Sequence, residues 1–270
     1  MANTVYENFV LEARFTDYLN TRLNTRNLMT IDNSLVGEEG MVKKVNTYTY
    51  TVGTVEKLTK GQKNSTRGQI GFTTVPHTIE LCQEVFDYHD EEFLQDENVL
   101  EMGMRGAGQL MVNYMNDKFF AALATASTEQ EYEEGQFNYD VIVDAIAKMN
   151  LEDESGLFLI IGNDLKAVIR KDADFKSARQ GEILFNGQIG DICGVPVLVS
   201  KKLSGGNAYL ATKEAVTCFT KKETEIEQAR DAEARKNTVI MRKLNLIALT
   251  DNTKVVKIKQ AETLRAKKAK

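Results

Sequence analysis

The residues of this chain that could do chemistry are few and scattered. Its two histidines, His77 and His89, have no partner at zinc-ligand spacing. His77 follows Pro76 at the end of a β-rich run and His89 precedes an acidic helix start, so both read as surface or capping residues. Cys82, Cys193 and Cys218 are far apart and odd in number, which suits buried reduced thiols rather than a disulfide framework. Gly61 to Gly68 encloses Lys63, but not at the spacing of a phosphate-binding loop. Gly103, Gly106 and Gly108 miss the dinucleotide fingerprint, which needs Gly-x-Gly-x-x-Gly directly after a strand. There is no Gly-x-Ser-x-Gly elbow. Glu129, Glu131, Glu133 and Glu134 crowd a linker-like run without calcium-loop spacing and read as a solvated charge run. Asn64-Ser65-Thr66 matches a glycosylation sequon by pattern only. No catalytic, cofactor-binding or metal-ligating residue is assigned. An enzyme of this size normally shows some such constellation, so the weight falls on surfaces.

One surface stands out. Residues 42–86 are strongly β in character: Val45 to Val52 alternates Thr with Tyr and Val, and Ile70, Phe72, Thr74 and, past Pro76, Ile79 and Leu81 suggest a return strand. Between them runs a polar, basic, glycine-bearing loop whose tip carries Lys57, Leu58, Lys60, Lys63 and Arg67. A lone two-stranded hairpin is at best marginally stable in water. This one has little apolar content of its own and must lie on something.

The flanking segments divide between helix and strand. Phe15, Leu19 and Leu23 follow an i, i+4 spacing compatible with a short amphipathic helix. Asp90 to Ala126 is the longest helical candidate, with Leu100, Met104, Ala107, Met111, Tyr114 and Leu123 near one face. Its three close glycines suggest a bend, a break or close backbone packing near residue 105. A polar acidic linker, Ser127–Gly135, leads to a compact helix over Asn138–Asn150. Short strands are expected at Ala208–Ala211 after the turn Gly205-Gly206-Asn207, at Val216–Phe219, and at Glu223–Gln228. Thr238–Leu249 and Lys254–Lys259 are expected to pair around Asp251-Asn252-Thr253.

The stretch from Gly156 to Ser200 carries the most specific pattern. A short apolar strand, Leu157–Ile161, stops at Gly162-Asn163-Asp164. An amphipathic helix carrying Leu165, Val168 and Ile169 ends in Arg170-Lys171-Asp172. Gly187, Ile189, Gly190, Ile192, Gly194 and Val197 then form a glycine-rich turn and a closing strand. Leu157, Leu159, Ile161, Leu165, Val168, Ile169 and Val197 are the expected core, with Asp164 and Asp172 bounding the helix.

This order resembles the hub domain of tailed-bacteriophage major capsid proteins with the Hong Kong 97-like fold. There, a strand meets a short helix ending in a basic-Asp pair, and a G-x-I-G-x-I-x-G-x-x-V turn follows. The likeness extends along the chain, and implies an α+β fold with an N-terminal arm (1–41), an extended loop hairpin (42–86), and a spine helix with part of a peripheral domain (87–136). It further implies an axial, or hub, domain (137–220) with its turn at Gly187, Gly190 and Gly194. Return strands of the peripheral domain and a basic C-terminal tail complete it (221–270). The implied function is a shell subunit that forms pentamers and hexamers in the icosahedral head of a double-stranded DNA phage or prophage. The loop tip would be an inter-subunit contact. The implied setting is the virion capsid, assembled in the bacterial cytoplasm. An encapsulin-like compartment subunit and an α/β enzyme with an unrecognised site are the alternatives.

Composition is compatible with this. The chain has 270 residues, 42% hydrophobic, enough for one large core or two modest ones. No apolar run approaches the ~18 residues that span a bilayer, so no membrane association is expected. The N-terminus lacks a signal-peptide core. The net charge of −5 argues against a nucleic-acid grip, although Arg265 to Lys270 is basic. Packaged DNA would be a cargo without sequence-specific binding. Some relatives carry a long N-terminal scaffolding segment. Here the hairpin begins only about 40 residues in, so a separate scaffolding protein is expected, or the arm would have to serve, with a portal as a further partner. The family's cross-linking lysine and asparagine find no assignable counterpart.

Overall fold

The computed structural model describes residues 25–51, 53–96, 98–152, 154–171 and 190–261. The expected N-terminal helix, Asp172, Gly187, Ile189 and the basic tail lie outside them. The first strand is β1 (Thr30–Asp32), followed by the hairpin strands β2 (Val42–Thr51) and β3 (Gln69–Thr78). Next come β4 (Glu80–His89) and the helices α1 (Asp90–Gln95) and α2 (Val99–Ala124). β5 (Glu129–Tyr132), α3 (Tyr139–Met149), β6 (Leu157–Ile161) and α4 (Asn163–Lys171) follow. The chain closes with β7 (Asp191–Ile192), β8 (Val195–Val199), β9 (Ala208–Thr212), β10 (Val216–Asp231), β11 (Lys236–Leu249) and β12 (Val255–Gln260). The mixture of helices and separate sheets agrees with the expected α+β class.

Two sheets share the long helix α2. A four-stranded sheet has the order β1-β10-β11-β4, and a six-stranded sheet the order β5-β12-β9-β6-β8-β7. β6 reads Leu-Phe-Leu-Ile-Ile and is buried at every position. The reason is two-sided packing, which favours unbroken apolar runs. Phe158 and Ile160 enter the core with Met111, Met115 and Phe119 of α2 and Ile226, Val239 and Met241 of the four-stranded sheet. Leu157, Leu159 and Ile161 enter a second core with Ile142, Ala145 and Met149 of α3 and Leu165 and Ile169 of α4. Val168 and Val197, expected in this core, pack against it only partly buried. α3 is bounded as its asparagines suggest: the Asn138 side chain accepts from the Val141 N–H at 3.2 Å, and Asn150 closes the helix at φ 48°.

Several elements differ from expectation. The helical stretch breaks between Gln95 and Val99, not near residue 105, and α2 runs unbroken through its glycines. Gly103 reflects close packing: a Cβ there would come within 2.4 Å of the Phe86 ring. The hairpin's return strand ends at Thr78, and Leu81 belongs to β4, which pairs with β11 instead. Val216–Phe219 and Glu223–Gln228 form one strand, β10, whose register against β11 shifts at Thr220/Lys222 and Lys222/Glu225. β11 and β12 do not pair with each other. β12 crosses into the six-stranded sheet, between β5 and β9. The acidic linker is not simply solvated: Glu129–Tyr132 is an edge strand parallel to β12. Glu129 meets Lys257 and Lys259 there, and Lys259 also meets Glu131 at 3.2 Å. These cross-strand charge pairs hold the edge.

β4 is pinned to α2 by polar contacts. The Glu80 carboxylate accepts from the Tyr114 hydroxyl and from Lys118 Nζ, the latter at 2.8 Å. Lys118 first and Tyr114 next hold the Glu80 carboxyl below the usual range. His89 caps α1 through a capping box with Glu92, as its position suggested. Cys82 and Cys218 are buried free thiols, whereas Cys193 is only partly buried because it sits in a turn.

Ile161 is fully buried, so Ile161→Ala should lower stability by roughly 2–5 kcal/mol, as core truncations do. A thermal or denaturant melt measures this, and an unchanged midpoint would refute the two-sided packing of β6.

Candidate inter-subunit surface

The hairpin β2–β3 stands apart from both sheets. Its strands form ten antiparallel pairs, from Val42↔Thr78 to Thr51↔Gln69. Among the described residues, the anchoring contacts lie at its base. Val45 and Ile79 pack with Phe219, Leu246 and Ala248 of the four-stranded sheet. Lys43 lies over the Phe219 ring at 5.1 Å, and Lys221 donates to the carbonyls of Glu38 and Gly40. Side chains alternate across a strand, so Val42, Ile70 and Phe72 share one hairpin face. Ile70 is 73% exposed and Phe72 66% exposed. A sequence that alternates Thr with apolar residues forms this ribbon without supplying a core beneath it.

The tip is ordered by one carboxylate. Glu56 reaches across the loop and accepts from the Ser65 N–H at 3.0 Å, the Thr66 N–H at 3.1 Å, the Thr66 hydroxyl at 2.9 Å and the Ser65 hydroxyl. The Ser65 hydroxyl and N–H are the leading cause of a carboxyl pushed down to about 2. Lys57, Leu58, Lys60, Lys63 and Arg67 are all brought to this loop and all are exposed. Among the described residues none of these four cations forms an ion pair. Val55, at 99% exposed, projects beside them. The loop therefore presents fixed positive charge and uncovered apolar side chains on a pre-ordered frame. Sequence reasoning found the cations but missed Glu56. Its signal, one acid nine residues before a Ser-Thr pair, carries meaning only once the loop is closed.

Gly190 and Gly194 of the glycine-rich turn lie among the described residues, and Gly187 does not. Asp191↔Pro196 and Ile192↔Val195 pair around Cys193 and Gly194, which lie at φ 55° and 75°. Positive φ at both central residues is the geometry of a two-residue hairpin turn, and glycine adopts it without steric cost. Gly190, at φ 67°, accepts from the Val197 N–H at 3.2 Å. Asp164 ties α4 to the neighbouring turn: its Oδ2 accepts from the Gly206 N–H at 2.9 Å. Among the described residues no group of three His, Cys, Asp or Glu could hold a metal. No described helix is long and apolar enough to cross a membrane.

Comparison with known proteins places these features in a family. A model of the family described as phage capsid protein matches residues 83–258. The major capsid protein of Staphylococcus phage phiMR11 is 33% identical over 118 residues, which cover 42% of this chain and 43% of that protein. The match thus spans less than half of that relative. The capsid structure of the cyanophage P-SCSP1u is similar at TM-score 0.71 and 10% identity, with 88% of each chain covered. A Mycobacterium phage Che8 structure is similar at TM-score 0.65 and 17% identity, covering 86% of this chain and 89% of that one. The virus-like particle from Pyrococcus furiosus is similar at TM-score 0.64 and 12% identity, covering 94% of this chain and 100% of that one.

The Glu56 contacts set a pH dependence of known sign. Its folded value lies below the ordinary 4.5, so its contribution to loop order is complete above 4.5 and disappears as pH falls towards about 2. A carbon-detected NMR titration should find the Glu56 carboxyl still ionised at pH 3.5. Glu56→Gln should speed amide exchange at Ser65 and Thr66 while leaving β6 amides unchanged. A Glu56 midpoint near 4.5 would contradict the cross-loop contacts.

Proposed function

The chain belongs to the phage capsid protein family and has the Hong Kong 97-like fold, and from that premise we propose that it is the major shell subunit of a phage head. Its role is structural rather than enzymatic, and its place is the virion capsid. Copies associate into pentamers and hexamers that close into an icosahedral shell. In the proposed arrangement residues 1–41 form an arm, residues 42–78 are the loop that lies over a neighbouring copy, and α2 is the spine. The hub comprises α3, β6, α4 and the glycine turn.

The observation that carries this reading is the hairpin. Its outer face exposes Val42, Ile70 and Phe72, and its tip exposes Lys57, Leu58, Lys60, Lys63 and Arg67. A monomer gains nothing from ten ordered strand pairs projecting into water, because an isolated ribbon of this kind is marginal. A neighbour that covers the apolar face turns the same ribbon into a stable contact. A separate scaffolding protein and a portal are the expected assembly partners. Double-stranded DNA is the expected cargo, held without sequence readout by a subunit of net charge −5.

Removing the tip, Leu58 to Arg67, should leave a folded, soluble subunit that fails to form stable particles. Circular dichroism and negative-stain microscopy read the two outcomes. Raised salt should weaken wild-type assembly in the same direction but less completely. Exposed ion pairs contribute only ~0–1 kcal/mol each, and the apolar contacts persist. Normal particles from the deletion variant would refute this role.

A further inference from the structure

β3 ends at Thr78 and β4 starts at Glu80, so Ile79 alone separates the hairpin from the body strand that follows it. Successive side chains of an extended chain point to opposite faces, and the fold grips both. Ile79 is buried with Phe219, Leu246 and Ala248, and its N–H donates to the Met41 carbonyl at 2.8 Å. Glu80 turns the other way, towards α2. Its carboxylate accepts from the Tyr114 hydroxyl and from Lys118 Nζ, the latter at 2.8 Å. Tyr114 and Lys118 stand one helical turn apart, and the Lys118 ammonium lies over the Tyr114 ring at 5.3 Å.

Apolar packing does not fix this corner by itself. A cavity of about 30 Å³ lies beside the carboxylate, with Tyr114, Lys118 and Asn245 among its walls. The ladder with β11 stops here too, since Glu80↔Asn245 is its last pair. At the other end of β4 the Phe86 ring closes on Gly103, where a Cβ would come within 2.4 Å of it. β4 is thus keyed to α2 at two points six residues, or roughly 20 Å, apart. One key is shape, at Phe86, and the other is charge, at Glu80.

We propose that Glu80, Tyr114 and Lys118 form a clasp that sets the direction in which the hairpin leaves the body. Ile79 is the pivot, and the Glu80 carboxylate stops rotation about it. The side chains of Lys118 and Glu80 are 39% and 45% exposed, and pairs so exposed contribute little to overall stability. Glu80 is therefore a positioning residue. Loss of the clasp redirects the hairpin while the body stays folded. The clasp acts inside one subunit and requires no neighbour, so it goes beyond the role of the hairpin in assembly.

Pulsed electron paramagnetic resonance on the unassembled full chain tests this. Nitroxide labels are attached through p-acetylphenylalanine at Thr73 on β3 and Ala147 on α3, both exposed, which leaves the three cysteines untouched. Wild type should give one main distance. Tyr114→Phe combined with Lys118→Met should shift that distance by several ångström or at least double the width of its distribution, while the thermal midpoint stays close to wild type. Glu80→Gln is the second variant should the double one fail to fold, and it should broaden the distribution in the same direction. Lys118→Arg, which keeps the pair, should retain the wild-type distance and width. Ile161→Ala should lower the midpoint without moving the distance, which separates the clasp from general loosening. A wild-type distance and width in both clasp variants, or equal broadening by Ile161→Ala, would overturn the proposal.

Discussion

Burial of one five-residue strand on both faces organises the molecule. Leu157–Ile161 lies inside the six-stranded sheet, with Phe158 and Ile160 facing the long helix and Leu157, Leu159 and Ile161 facing the small helices. Each face needs its own cover, so the chain builds two cores that share one strand. The four-stranded sheet closes the first core from the far side of α2. β12 crosses back to complete the sheet beside β9, contributing Val255 to the first core and Val256 and Ile258 to the second. The last described strand is therefore part of the same mechanical unit as the hub strand.

The hairpin β2–β3 obeys the opposite rule. It is joined to the body at its base through Val45 and Ile79, and beyond that the described side chains of Thr51 and of residues 69–76 are exposed. Backbone pairing alone stabilises a ribbon weakly, and Glu56 adds local order at the tip without adding buried surface. The molecule thus combines a rigid body, self-sufficient in apolar burial, with an ordered projection that is not. For a shell subunit this division is useful. In the proposed role, the body supplies its own apolar burial and the projection gains buried surface from a neighbour, which would couple its order to assembly.

Legibility in the sequence followed how local the deciding interaction was. The apolar run Leu157–Ile161, the Leu165/Ile169 spacing and the asparagines at 138 and 150 are local signals, and each marked its element correctly. The hairpin was legible from Thr alternation, but its end at Thr78 was not, because β4 continues in a similar β-rich composition with a different partner. Asp251-Asn252-Thr253 has turn composition, yet the two strands it joins enter different sheets. Long-range pairing decided that. The acidic run at Glu129 became a strand because Lys257 and Lys259 stand opposite, about 130 residues away in sequence. The cations of the loop tip were readable as a surface. The acid that orders them was not, since its role depends on what the fold brings near.

Hydrogen exchange measured by mass spectrometry on unassembled subunits and on assembled particles tests the central claim most directly. Peptides spanning Val42–Thr51 and Gln69–Thr78 should exchange rapidly in the subunit and become strongly protected in the particle. Peptides spanning Leu157–Ile161 should be protected equally in both. Hairpin peptides already fully protected in the unassembled subunit, or still rapidly exchanging in intact particles, would contradict the account.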